Sequence, residues 1–154
     1  MHVEDLSEVL RKHPFIGELD DKHLQTLVGC AANAHFTDGT YLFHEGETAN
    51  SFYLIRTGRV VLEIFGGKKG IKRILTIGPG EIVGWSWLIS PYRWHFDACA
   101  VDDVRAISLD GVCLRKKCET DHELGYEMLK RLSQVLQRTL EATRLQLLDI
   151  YGND

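Results

Sequence analysis

All three tryptophans of this chain fall between positions 85 and 96, together with a tyrosine and a phenylalanine: Trp85, Trp87, Tyr92, Trp94 and Phe96. Rings concentrated in this way have three uses. They can form a wall that stacks on a flat ligand, a plug that fills a closed pocket, or an exposed patch that anchors a partner. The residue types alone leave all three open. Just upstream, Gly78-Pro79-Gly80-Glu81-Ile82-Val83-Gly84 joins a glycine-rich turn to a single carboxylate, with Gly80 suited to a positive φ. Glu81 and Asp97 do not make a convincing acid–base pair. There is no GxSxG, no P-loop, no GxGxxG and no close Ser/His/Asp order. The seven His residues lack HExxH or other ligand spacing, and the four Cys residues form no CxxC pair. No metal, cofactor or catalytic centre is therefore expected. Cys30, Cys99, Cys113 and Cys118 read as four reduced, mostly buried thiols of a cytoplasmic protein.

The elements around this stretch are those of one domain spanning 1–154. The hydrophobic fraction is 44%, the charged fraction 26% and the net charge −4, all ordinary for a globular chain and not the basic balance of a nucleic-acid binder. No window reaches the roughly 20 apolar residues of a membrane span, and the acidic start is not a secretory leader. Residues 1–33 read as helices. One runs from Val3 to Leu10, and a second is capped by Asp20 and ends at about 31–33. From 34 to 110 short runs rich in Val, Ile, Phe and Tyr are punctuated by glycine turns, at Thr40–Phe43, Ser51–Thr57, Arg59–Phe65, Ile71–Ile77, Asp97–Val101 and Val104–Leu109. Regular short strands with strict alternation predict a sandwich or barrel. The basic turn Lys68–Arg73 reads as a solvated hairpin.

From Gly111 the pattern is helical again. Thr120 and Glu123 have capping-box spacing, opening a long helix from about Asp121 to Tyr151. One stripe of it reads Leu129, Leu132, Leu136, Leu140, Thr143, Leu147 and Ile150, close to a coiled-coil seam. The part through Leu136 is expected to pack on the chain's own barrel, and the remainder to form a homodimer with a second copy.

Five fragments in order resemble the cyclic-nucleotide-binding domain family, including the sensor half of catabolite-activator regulators. They are His13–Leu19, then Gly39, then His44-Glu45-Gly46-Glu47, then Phe52–Val60 with its Leu54-Ile55 and Gly58, and finally Gly78–Gly84. The resemblance covers nearly the whole chain. It implies a mainly β fold with flanking helices: a double-stranded β-helix, or jelly-roll, barrel with N-terminal helices, a ligand cassette at 78–98 and a long C-terminal helix.

The resemblance also implies site roles. Gly80 opens the cassette, and Glu81 accepts a hydrogen bond from a ribose hydroxyl. Ile82, Val83 and Gly84 supply backbone donors, and Trp85-Ser86-Trp87-Leu88 is a short helix whose Ser86 hydroxyl adds a donor. The family closes its cassette with an arginine on the phosphate. With Ala98 as the start of the next strand, that position holds Phe96, followed by the repulsive Asp97, and the insert after Glu81 is longer than usual. Arg93, three residues upstream, is the expected replacement cation, with His95 a second candidate that would make binding pH-dependent. The expected ligand is cAMP or cGMP. A different ligand, or none, with action through an unidentified protein partner, is the alternative. The winged-helix DNA reader of the catabolite-activator type is missing from these residues, so direct DNA contact is not expected.

Overall fold

The computed structural model describes the backbone of residues 5–152 and the side chains of residues 5–149. Helix α1 is Leu6–Lys12, capped by Asp5, whose carboxylate accepts from the Ser7 N–H. Val3, assigned to this helix by sequence, lies outside the described residues. Helix α2 is Asp21–Val28, and Asp20 caps it by accepting from the Lys22 N–H at 2.7 Å. It stops short of the expected 31–33, because Ala31–Phe36 is strand β1, paired antiparallel to the last strand from Ala31↔Leu109 to Phe36↔Val104. Ala and Asn are poor strand formers, and the partner strand overrides that preference.

The remaining strands are β2 (Tyr41–Phe43), β3 (Ser51–Thr57), β4 (Val60–Phe65), β5 (Ile71–Ile77), β6 (Ile82–Val83), β7 (Asp97–Ala100) and β8 (Val104–Asp110). Among the described residues they form two four-stranded antiparallel sheets, ordered β1-β8-β3-β6 and β2-β7-β4-β5, the two faces of a jelly roll. Strand β3 explains the unbroken apolar run Phe52-Tyr53-Leu54-Ile55. Phe52 and Leu54 face the helices, whereas Ile55 faces the space between the sheets, so both faces of the strand are covered. Each fully buried Leu, Ile or Phe contributes about 1.5–3 kcal/mol.

Two core regions result. The interior of the roll holds Val60, Leu62, Ile77, Val83, Ala98 and Val104. The outer face of β3 and β8 packs on α1, α2, α3 (Gly111–Thr120) and α4 (His122–Gly152). The cap of α4 differs from the expected Thr120. Asp121 ends α3 and accepts from the Leu124 N–H at 3.2 Å, while the Thr120 hydroxyl donates back to the Lys117 carbonyl. On α4, Leu124, Met128 and Leu132 are buried against the roll with Val135 and Thr139 beside them. Of the leucine stripe read from sequence, only Leu132 belongs to this buried face. Leu129, Leu140 and Leu147 are more than half exposed, about a quarter turn round the helix, and the side chain of Ile150 lies outside the described residues.

The four cysteines are not all thiols. Cys30, beside β1, and Cys113, in the first turn of α3, are joined in a disulfide across 83 residues of sequence. The Asp110 N–H bonded to the Cys30 carbonyl brings the two segments together. Cys99 and Cys118 are free, and burial, followed by the nearby Asp121 and Glu119, pushes the Cys118 thiol up to about 11. No helix among the described residues is long and apolar enough to cross a membrane.

Candidate functional site

A cavity of about 530 Å³ opens between the cassette and α4. Its floor is the interior of the roll, with Phe43, Leu62, Leu75 and Ile77. One wall is the cassette, with Gly80, Glu81, Ile82 and Gly84 to Ser86 on one side and Trp94 to Phe96 on the other, while Val83 lies outside the lining. The facing wall is α4, which contributes Arg131, Gln134, Arg138 and Thr139, and the loop after α1 contributes Phe15 and Glu18. This volume suits a small organic ligand, and an apolar floor with a few convergent polar groups is the usual composition of such sites.

The cassette is built differently from the sequence expectation. Gly80 has φ +85°, as its turn requires, and its N–H bonds the Ile55 carbonyl. Ile82 and Val83 form β6, paired with Leu54 and Tyr53, and their side chains are buried. Residues 86–88 form a turn, with a 3.4 Å contact from the Leu88 N–H to the Trp85 carbonyl, in place of the expected short helix. The cassette therefore presents no helix N-terminus to an anion. Gly84, at φ +105°, lies against the Trp94 ring.

Glu81 is held in place by the Gly78 N–H, which donates to its Oε1 at 3.0 Å. Its other oxygen, Oε2, pairs with the Arg138 guanidinium from α4. Arg138 also donates to the Thr76 carbonyl at 3.4 Å. Both side chains are partly exposed, 48% for Arg138 and 31% for Glu81, so solvent screens the pair to about 1 kcal/mol or less.

The aromatic residues divide between wall and core. Trp87 is fully buried and stacks on Phe52 with centroids 4.6 Å apart. Trp94 stacks on Phe43 at 3.7 Å and, with Phe96, lines the cavity. Trp85 stacks on His95 at 4.7 Å, also within the lining, and the buried Ser86 hydroxyl lies 3.1 Å from the His95 Nδ1. Tyr92 lies under the Arg115 guanidinium, 3.9 Å away. The stretch is thus part cavity wall and part core, and not an exposed patch.

Arg93 does not reach the cavity. Residues 46–49 and 92–94 pair through backbone bonds and a Thr48–Arg93 bridge. Alternation along this pairing turns Trp94 inward and Arg93 outward, where its Nη1 donates to the Gly46 carbonyl at 2.9 Å. Asp97 also lies outside the lining. Its carboxylate accepts from the Glu45 N–H at 2.7 Å and sits 3.5 Å from His44 Nδ1, so the repulsion expected at a phosphate does not arise. Sequence reasoning missed the contribution of α4. Its signal was the set of polar positions next to the buried leucine face, with Arg131 and Arg138 two turns apart.

Comparison with known proteins agrees with this architecture. The profile of the cyclic nucleotide-binding domain family matches residues 34–121. Cyclic nucleotide-gated ion channel 18 of Arabidopsis thaliana is 29% identical over 104 residues, 65% of this chain and 15% of the channel. A CRP-like cAMP-activated global transcriptional regulator of Mycobacterium tuberculosis is 26% identical over 138 residues, 87% of this chain and 60% of the regulator. The chain thus spans less than two thirds of the length of these relatives. Among solved structures, a candidate cyclic nucleotide-binding protein of Geobacter metallireducens superposes with a TM-score of 0.80 at 26% identity, covering 89% of this chain and 99% of that one. The regulatory subunit of a cAMP-independent protein kinase A of Trypanosoma brucei gives 0.70 at 26% identity, covering 91% of this chain and 49% of that one. The jelly roll, the cassette against the long helix and the match over 34–121 make this chain a member of the cyclic nucleotide-binding domain family, a regulatory sensor module.

Proposed function

We propose that the cavity binds a 3′,5′-cyclic nucleotide, cAMP or cGMP, and that occupancy is transmitted through α4. The observation that carries this reading is that Glu81 of the cassette and Arg138 of α4 meet across the cavity mouth, so one ligand touches both the receptor loop and the output helix. Glu81, oriented by the Gly78 N–H, accepts from a ribose hydroxyl. The Trp85–His95 stack and Trp94 offer flat surfaces to a base, where stacking is worth about 1–3 kcal/mol. The output follows from the exposed leucines of α4. Leu129, Leu140 and Leu147 form a seam through which two copies pair, and ligand biases the position of that helix.

Calorimetric titration of cAMP and cGMP into the purified protein tests the ligand. Saturable binding of about one nucleotide per chain, weakened about 10- to 100-fold by Glu81→Ala through loss of a charged hydrogen bond, supports it. No binding of either nucleotide overturns it. A second reading, a different ligand or none, is favoured by one observation: the cassette supplies no arginine or lysine to the cavity, since Arg93 is bonded to Gly46. A solved relative with this fold is the regulatory subunit of a cAMP-independent kinase, so the fold by itself does not commit to cAMP.

A further inference from the structure

An anionic ligand in a cavity with an apolar floor requires a cation, since a charge removed from water is costly unless paired. The lining offers Lys130, Arg131, Arg138 and His95. Arg131 is committed elsewhere. Its Nε donates to the Phe15 carbonyl at 2.7 Å, its Nη2 to the Ile16 carbonyl at 3.1 Å, and its Nη1 to Glu127. That guanidinium clamps the loop after α1 to α4 and has no fork left for a ligand. Lys130 is paired with the Glu127 carboxylate at 3.3 Å and lies over the Tyr126 ring. The His95 ring is stacked on Trp85, with Nδ1 taken by Ser86.

Arg138 differs from these. Its charged partner, Glu81, is itself a cavity group and is still anchored by the Gly78 N–H when Arg138 leaves. Its other contact, to the Thr76 carbonyl, is long and compatible with a second acceptor. The pair is half-exposed, and so exchangeable. We propose that Arg138 of α4 is the residue that receives the ligand's anionic group, and that this anion replaces the Glu81 carboxylate as its partner. The cation that the cassette lacks is thereby supplied by the output helix.

The exchange defines the ligand class. Glu81 loses a guanidinium and needs a hydrogen-bond donor in return, while Arg138 needs an anion. A ligand carrying a hydroxyl beside a phosphate ester satisfies both, whereas a nucleoside without phosphate separates the pair and offers Arg138 nothing. Selection for nucleotide over nucleoside therefore resides in α4. This deepens the nucleotide reading of the cavity and rests on it.

The test is calorimetry of cAMP, cGMP and adenosine with wild type, Arg138→Ala, Arg138→Lys and the double variant Arg138→Ala/Phe96→Arg. Phe96 lines the same cavity, so an arginine there restores a cation from the cassette side. The expected result is nucleotide affinity lowered at least about tenfold in Arg138→Ala, an intermediate value for Arg138→Lys, recovery in the double variant, and weak adenosine binding that Arg138→Ala does not weaken. Nucleotide affinity in Arg138→Ala equal to wild type overturns the proposal. If wild type binds neither nucleotide, the nucleotide reading has failed, and the role of Arg138 is decided by inorganic phosphate in phosphorus NMR. Phosphate broadened by wild type but not by Arg138→Ala supports it. Phosphate that ignores wild type, or binds both alike, overturns it.

Discussion

The Trp94 ring packs so closely on the backbone of Gly84 that a β-carbon at position 84 would stand 2.8 Å from two ring atoms. The glycine also has φ +105°, a conformation that side-chain-bearing residues rarely adopt. Cassette shape and aromatic wall are therefore one construction. Gly84→Ala is expected to cost about 1–3 kcal/mol from backbone strain, with the steric displacement of Trp94 added. Urea unfolding with tryptophan fluorescence measures both, as a lowered midpoint and an altered native emission. An unchanged midpoint would mean that the ring is not held against this backbone.

His13 links the loop after α1 to the roll. Its Nδ1 accepts from the Phe15 N–H at 3.1 Å and its Nε2 faces the Ile55 carbonyl at 3.2 Å, partners that assign the neutral tautomer with hydrogen on Nε2. Burial pushes this imidazole below its ordinary 6.5, and the Ile55 carbonyl opposes it more weakly. The unfolded chain then takes up the proton first. The contribution of His13 is complete above pH 6.5 and is lost as the pH falls through the lower folded value. Stability measured from pH 7.5 down to 5 is expected to fall more steeply in wild type than in His13→Gln, each tenfold difference in proton affinity being worth about 1.4 kcal/mol. Parallel curves would remove His13 from the account.

The exposed leucines of α4 make a separate prediction. Leu140 is 68% exposed, so Leu140→Asp is expected to alter the fold of a single chain by no more than about 0.5 kcal/mol. Sedimentation is expected to give a dimer for wild type and a monomer for the variant, with unchanged circular dichroism. A wild type that sediments as a monomer contradicts pairing through this seam.

How much was legible beforehand depended on whether a residue's partner was local. Ser51–Thr57 and Ile71–Ile77 were bounded correctly, because their aromatic and β-branched residues and the glycines that follow them are local signals. Ala31–Phe36 was not, because its strand character comes from β8, whose paired residues run from Leu109 opposite Ala31 to Val104 opposite Phe36, far away in sequence. Gly80 and Glu81, singled out by their local glycine-rich turn, line the cavity. Arg93 was misplaced because nothing in its neighbourhood reveals that residues 92–94 pair back onto 46–49 and turn it outward. The Cys30–Cys113 bond and the Glu81–Arg138 pair both join segments more than 50 residues apart. Arg138 was hidden for a further reason: on an amphipathic helix a cation beside the buried face looks like any solvated one.

The central claim is that a ligand in this cavity acts on α4. Hydrogen–deuterium exchange of the protein with and without a saturating cyclic nucleotide, occupancy being fixed by calorimetry, tests it most directly. The expected result is a change in exchange across residues 130–148, extending past Thr139 where α4 leaves the cavity wall. Full occupancy with changes confined to residues 78–98, and α4 exchanging as before, would contradict it.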